Sequence, residues 1–306
     1  MADKRRMCPH CRAFITTGDR VCPYCGADVG PRAIDVRNPG AILGGLIPAS
    51  KFTTSLILLL NIGIYIASQF NQNLELLGWK DSRAILEGHQ YWRLITAGFL
   101  HGSILHIAMN MWVLNDLGAE VERTYGTARF LIIYFAGTVF GFLLSAYLSP
   151  APSLGASAGL FGLIGAMIAF GLRNRTEVGR QIRGFYVKWA IYGMALGFLP
   201  GFHIDNYAHL GGLAAGLAIA YVAGSPVHAS KTTEQVWKAL AAICVILTAY
   251  SFWIVLRQVN APQEESGGAV VQLRAPRSSE AEAQRQTAAS EIGAKHAFSL
   301  ATRRKG

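Results

Sequence analysis

Between positions 52 and 257 the chain is a succession of apolar runs separated by short polar breaks, each run close to the about 20 residues that cross a hydrocarbon core. The pattern predicts seven transmembrane helices, near residues 52–70, 103–118, 128–148, 155–172, 184–199, 203–224 and 236–257. The second run is the shortest and carries His106, Asn110 and Asn115. The expected fold is therefore an all-α polytopic membrane domain over residues 51–258. It is preceded by a cysteine-bearing unit at 1–30 and a linker at 31–50, and followed by a polar tail at 259–306. The linker is rich in Pro, Gly and scattered charge, and its apolar piece from 41 to 47 is too short to span. The tail mixes Gln, Glu, Ser, Ala and Arg with few aromatics, a composition that predicts disorder with at most a transient helix near 279–290.

Within this pattern the fourth and sixth runs stand out. The fourth opens Gly155-Ala156-Ser157, and Ala158, Gly162, Gly165, Ala166 and Ala169 then recur near one helical face. Small residues at that spacing let a second helix backbone approach closely. The sixth run carries His209, with Gly212, Gly216 and Ala220 following at steps of three, four and four on the same face. These two faces are expected to close on each other, bringing Ser157 and His209 together.

Composition supports the lipid setting: 52% of residues are hydrophobic and only 15% charged, and the mean hydropathy is +0.30, too apolar for an ordinary soluble domain. The 28 Lys and Arg against 18 Asp and Glu give a net charge of +10. The basic residues fall in the N-terminal unit and short loops, so they set membrane orientation, and no nucleic-acid partner is expected. The segment after the fourth run carries Arg173, Arg175, Arg180, Arg183 and Lys188 against Glu177 and belongs in the cytoplasm, as does the N-terminus. The uncharged loops after the third and fifth runs lie outside. Lys4, Arg5 and Arg6 are followed by no apolar core before Cys8, so no cleaved signal peptide is expected. The expected location is a multi-pass position in a bacterial plasma membrane.

Four of the five cysteines form two pairs, Cys8-Pro9-His10-Cys11 and Cys22-Pro23-Tyr24-Cys25-Gly26. A two-residue spacer lets both thiolates of a pair reach one tetrahedral ion, and two such pairs predict a structural zinc ribbon with Cys8, Cys11, Cys22 and Cys25 as ligands. A redox dithiol pair is the alternative. Zinc would supply much of the folding free energy of so small a unit. A cytoplasmic partner of the ribbon, or contact of its basic residues with anionic headgroups, would fit its place. Cys244, inside an apolar run, reads as an inert thiol.

The predicted topology makes the second, fourth and sixth helices run in the same direction, so His106 and Asn110, Ser157, and His209 start at similar depth. Polar groups at that depth are costly unless they face a protein interior or a water-filled cavity, and their coincidence points to a site. A serine hydroxyl needs a base, and imidazole has suitable basicity. His106 and Asn110, four residues apart, share one face from which to donate to an oxyanion, and the Ser157 N–H at a helix start is another donor. The bland readings are a helix-packing serine and a histidine bonded to a carbonyl. A metal site from His101, His106, His203 and His209, with Asp205 as its single acidic neighbour, is a further alternative.

With these residues in view, the sequence resembles the rhomboid family of intramembrane serine proteases. The resemblance runs from about 91 to 216, through Trp92-Arg93, His106-x-x-x-Asn110, Glu122 with Gly126, Gly155-x-Ser157 and Ala208-His209-x-x-Gly212-x-x-x-Gly216. It implies a six-helix core with an added seventh helix, and a Ser157–His209 dyad without an acidic third member. It also implies oxyanion stabilisation by His106, Asn110 and the Ser157 backbone, cleavage of transmembrane protein substrates near the outer membrane face, and no catalytic cofactor. Two departures from the family pattern are Ala158 directly after the serine and Phe161 where many members have Tyr. The alternatives are a catalytically inactive relative that binds or escorts membrane clients, and a transporter. Transporters are expected to show related halves or a charged pathway, and the chain has no internal repeat or string of intramembrane carboxylates.

Overall fold

The computed structural model describes residues 5–8, 10–16, 19–29, 51–199, 204–224 and 230–260. The linker at 31–50, residues 261–306 of the polar tail, and His203 lie outside the described residues.

The N-terminal unit repeats one device. Strands β1 (Arg5–Met7) and β2 (Phe14–Thr16) pair antiparallel with Met7 opposite Phe14, and an isolated bridge joins Val21 to Asp28 at the same place in the second half. In the first knuckle Cys8 N–H donates to Ala13 O at 2.9 Å and Arg12 N–H to Cys8 O at 3.0 Å; in the second, Cys22 N–H donates to Ala27 O at 2.8 Å and Gly26 N–H to Cys22 O at 2.9 Å. Arg12 and Gly26 both take positive φ, at 61° and 69°. Among the described residues its buried centre is Cys8, Ile15, Cys22 and Val29, far too small to hold a domain by apolar burial alone.

The remainder is a mostly helical membrane protein. Helix α1 (Phe52–Phe70) leads into three short helices, α2 (Asn73–Gly78), α3 (Ser82–Leu86) and α4 (Arg93–Thr96). A 3₁₀ turn (Ala97–Phe99) precedes α5 (Ile104–Val113), which continues through a π-turn (Leu114–Gly118) into α6 (Ala119–Leu148). Helices α7 (Ser157–Arg173), α8 (Glu177–Leu196), α9 (Asn206–Ala223) and α10 (Lys231–Val259) follow. Several starts are set by side-chain caps that accept an otherwise orphaned N–H: Ser103 for α5, Thr176 for α8, Asp205 for α9 and Ser230 for α10.

Among the described residues, three helical stretches, Phe52–Phe70, Ile104–Leu148 and Lys231–Val259, are long and apolar enough to cross a bilayer. The second is 45 residues, yet it cannot act as one rod. Gly126 leaves helical geometry at φ 78°, ψ 160°, a conformation that L side chains rarely adopt. Beyond it α6 folds back, so that Gly137 lies against Gly162 and Gly141 against Ala158 and the Ala208 carbonyl.

Helix α7 is the centre: every residue from Ala158 to Ala169 is buried, the signature of a helix enclosed by others. Gly212 and Gly216 of α9 abut Ala158 and Gly162, which sets the two helices parallel. The sequence-based boundaries shift in two places. The second helix runs past Gly118 to Gly126 because the π-turn carries it through Asn115 and Asp116. The fifth begins at Glu177, not near 184, because Thr176 caps it and the basic residues Arg180, Arg183 and Lys188 ride on its first turns.

Buried polar anchors join these helices. Glu122 accepts from Thr53 N–H at 3.2 Å, Thr54 N–H at 2.9 Å, Thr54 Oγ1 at 2.8 Å and Thr127 Oγ1 at 3.0 Å, tying α6 to the start of α1. Arg129, 1% exposed, pairs with Glu234 of α10 at 2.7 Å and lies over the Trp237 ring at 5.1 Å.

Candidate active site

Ser157 is the first residue of α7 and is half-buried. The bend delivering it depends on Gly155, whose φ of 129° and close neighbours each exclude a side chain: a Cβ there would sit 2.7 Å from His106 Nε2 and 3.8 Å from Ser157 Oγ. The Gly155 N–H is held by Ala97 O at 2.9 Å. Gly155 thus lies between the hydroxyl of Ser157 and the ring of His106. His106 itself stands edge-on to His101, centroids 5.1 Å apart at 66°, and His101 Nε2 accepts the Ala156 N–H at 3.4 Å.

His209, 5% exposed, occupies the first turn of α9 and stacks on Phe161, ring centroids 4.0 Å apart and planes at 14°. Phe161 is four residues beyond Ser157 on α7, so it shares the serine's face. His209 Nδ1 is buried without a partner, and among the described residues no hydrogen bond joins Ser157 Oγ to His209. Asn110, 6% exposed, donates Nδ2 to His106 O at 2.9 Å; an amide nitrogen carries two donors, so one remains. A serine hydroxyl can pass its proton to an imidazole only at hydrogen-bond distance, and such bonds are often long in the absence of a bound substrate.

Arg93 is buried, 6% exposed, and donates to Gln90 Oε1 at 2.7 Å, Leu76 O at 2.9 Å and Trp79 O at 3.0 Å. It organises the first loop from within. Lys80, Ser145, Ser153 and Asp205 form a further polar group that motif reasoning missed; lone Ser and Lys residues carry no spacing signal. Burial pulls the Lys80 ammonium below its ordinary range, and Asp205, then Asp81, oppose the shift.

The four cysteine sulfurs lie within 4.8 Å of one another, with Cys8 to Cys25 at 3.8 Å and Cys11 to Cys22 at 3.7 Å. Ligands at about 2.3 Å around a tetrahedral zinc stand about 3.8 Å apart, so the cluster fits that ion. The Cys11 N–H, with the His10 N–H adding to it, lowers the Cys8 thiol to about 6 against a desolvation that opposes the shift. Among the described residues this is the only such group of His, Cys, Asp and Glu. The four-histidine alternative finds no cluster there, and His203 is outside them.

Residues 88–226 match the family model for the Rhomboid domain. The rhomboid protease GluP of Bacillus subtilis is 36% identical over 181 residues, covering 59% of this chain and 34% of that protein. The mitochondrial RHOMBOID-like protein 6 of Arabidopsis thaliana is 36% identical over 155 residues, half of each chain. The inactive RHOMBOID-like protein 8 of the same plant is 32% identical over 142 residues, 45% of this chain and 40% of that one. The chain spans half or less of the length of these relatives. The match falls on the segment that holds Ser157 and His209, so that residues 88–226 of this multi-pass integral membrane protein make up a Rhomboid domain.

Proposed function

We propose that the chain is an intramembrane serine endopeptidase that cuts transmembrane protein substrates near the outer membrane face with a Ser157–His209 dyad. The observation that carries this reading is the packing of His209 on Phe161, one turn below Ser157 on the parallel helix α7. His209 takes the Ser157 proton as Oγ attacks the scissile carbonyl; the oxyanion is met by His106, Asn110 and the Ser157 N–H, whose helix end is positive. His209 then protonates the leaving amine, and water, activated by the same imidazole, releases the acyl group.

Depth supports the cut site. From Ser157 to the cationic end of α7 at Arg173 is about 24 Å at 1.5 Å per residue, so with the basic end in the cytoplasm Ser157 stands a few ångströms below the opposite edge of a core of about 30 Å. Seven spans result from dividing Ile104–Leu148 at Gly126 and adding α7, α8 and α9, with six forming the family core and α10 the seventh. The N-terminal ribbon, residues 1–30, would hold structural zinc in the cytoplasm, and a bacterial plasma membrane suits the assembly.

The open Ser157–His209 geometry favours one second reading, an inactive relative that binds membrane clients. Cleavage of a fluorescent transmembrane reporter in liposomes, by the native chain, Ser157→Ala and His209→Ala, separates the two. Protease action requires the native chain to cut and both variants to be silent, with a zinc chelator leaving cleavage intact. Equal cleavage by all three rejects the dyad, and silence of the native chain on several reporters supports the binder.

A further inference from the structure

One carboxylate beside the site gathers three segments of chain. Asp205 Oδ2 accepts from Ser145 Oγ, near the end of α6, at 2.5 Å and from Ser153 Oγ, in the loop before α7, at 2.6 Å. Its Oδ1 caps α9 by accepting the Ala208 N–H at 3.0 Å, and its carbonyl accepts the His209 N–H at 3.1 Å. The same loop is gripped from its other side. Lys80 exchanges backbone hydrogen bonds with Ser153, at 2.9 and 3.1 Å. Fully buried, it also donates Nζ to Ser149 O at 2.6 Å and Ala151 O at 2.9 Å, while Ser82 Oγ shares Ser149 O at 2.6 Å.

The placement is symmetrical about the site. Ser153 precedes Ser157 by four residues, and Asp205 precedes His209 by four. We propose that Asp205 is a positioning residue for the dyad: by holding Ser153 and Ser145 on one carboxylate oxygen it fixes the separation of Ser157 from His209, with Lys80 pinning the loop against it. This rests on the dyad reading above. A carboxylate suits the task because it offers acceptor sites without donors, enough for two hydroxyls and an N–H at once, and bonds to an ionised acceptor are the stronger kind. Asparagine would keep the helix cap but would turn half of the group into a donor. A displacement of about 1 Å at a reacting pair is enough to cost about a hundredfold in rate.

The test uses the full chain in liposomes with the transmembrane reporter, measuring kcat, KM and the thermal midpoint for Asp205→Asn, Ser145→Ala, Ser153→Ala and the double serine variant. Expected are a fall in kcat of about tenfold or more for Asp205→Asn with KM within about twofold, and a comparable fall for the double serine variant. A structural role alone would make kcat follow the thermal midpoint across the set, and that correlation overturns the proposal, as does native kcat in Asp205→Asn. Should Asp205→Asn fail to fold, the serine variants decide, and native kcat in the double variant overturns it. Ser157→Ala is run beside them. If it still cuts, the dyad reading fails whatever Asp205 does; if it is silent while Asp205→Asn is native, the positioning role alone fails.

Discussion

Phe161 lies flat on His209, and its far edge presses on Gly193 of α8, where a Cβ would come within 2.6 Å of the Phe161 ring. The imidazole is thereby backed by a ring that α8 keeps from retreating. Such a stack is worth about 0.5–1.5 kcal/mol beyond its area.

Phe161→Leu should therefore lower kcat/KM by about 2- to 10-fold, while Phe161→Tyr, which retains the ring but sets its hydroxyl at the edge that meets Gly193, should lower it less. Steady-state cleavage of the reporter checks both, and a leucine variant at full activity would show that the ring does not orient the base.

Glu122 faces four donors, and deleting it strands them at the junction of α1 and α6. Glu122→Ala should cost about 3 kcal/mol or more of stability, and Glu122→Gln, which still accepts through one oxygen, clearly less. Thermal unfolding in detergent reads the order; equal midpoints for both variants would contradict it.

The Arg129–Glu234 pair is the charged tie between α6 and α10. Glu234→Ala leaves a guanidinium that is 1% exposed without its anion, and because Glu234 is partly open to solvent the expected loss is about 2–3 kcal/mol. Replacing both partners, Arg129→Met with Glu234→Gln, should recover most of the midpoint; failure to recover would mean that the guanidinium's stacking on Trp237 matters more than its charge.

Metal analysis of the purified chain should find about one zinc, since four thiolates close one tetrahedral site. Cys8→Ser or a strong chelator should unfold the ribbon, whose buried centre among the described residues is four side chains, and leave the thermal midpoint of the helical domain in place. Trypsin digestion at the ribbon, followed by mass spectrometry, reports the first effect.

Sequence alone exposed the parts of the molecule that repeat or that violate their surroundings. The apolar runs marked the helices, the cysteine pairs marked the ribbon, and Ser157, His209, His106 and Asn110 stood out as polar groups at apolar depth. What stayed hidden depends on partners distant in the chain. Asp205 meets Ser145 and Ser153 only because the α6–α7 and α8–α9 connections end at one level, and nothing local to Lys80 says that it will be buried. Two of the three acceptors that hold Arg93 are backbone carbonyls, which leave no trace in residue identity. The start of α8 was misplaced because charged first turns resemble a loop when hydropathy is the guide.

The π-turn at Leu114–Gly118 has a consequence for how this chain tolerates changes of length. A π-turn holds one residue more than an α-turn, and it lies between two fixed flanks: Asn110, whose side chain bonds back to His106, and Glu122, docked on α1. Deleting one residue between 114 and 118 would convert the turn to ordinary α-helix and leave both flanks facing as before. The same deletion a turn earlier or later would rotate one flank by about 100°. In related chains, single-residue gaps should therefore collect at this turn and be absent from the helical segments beside it.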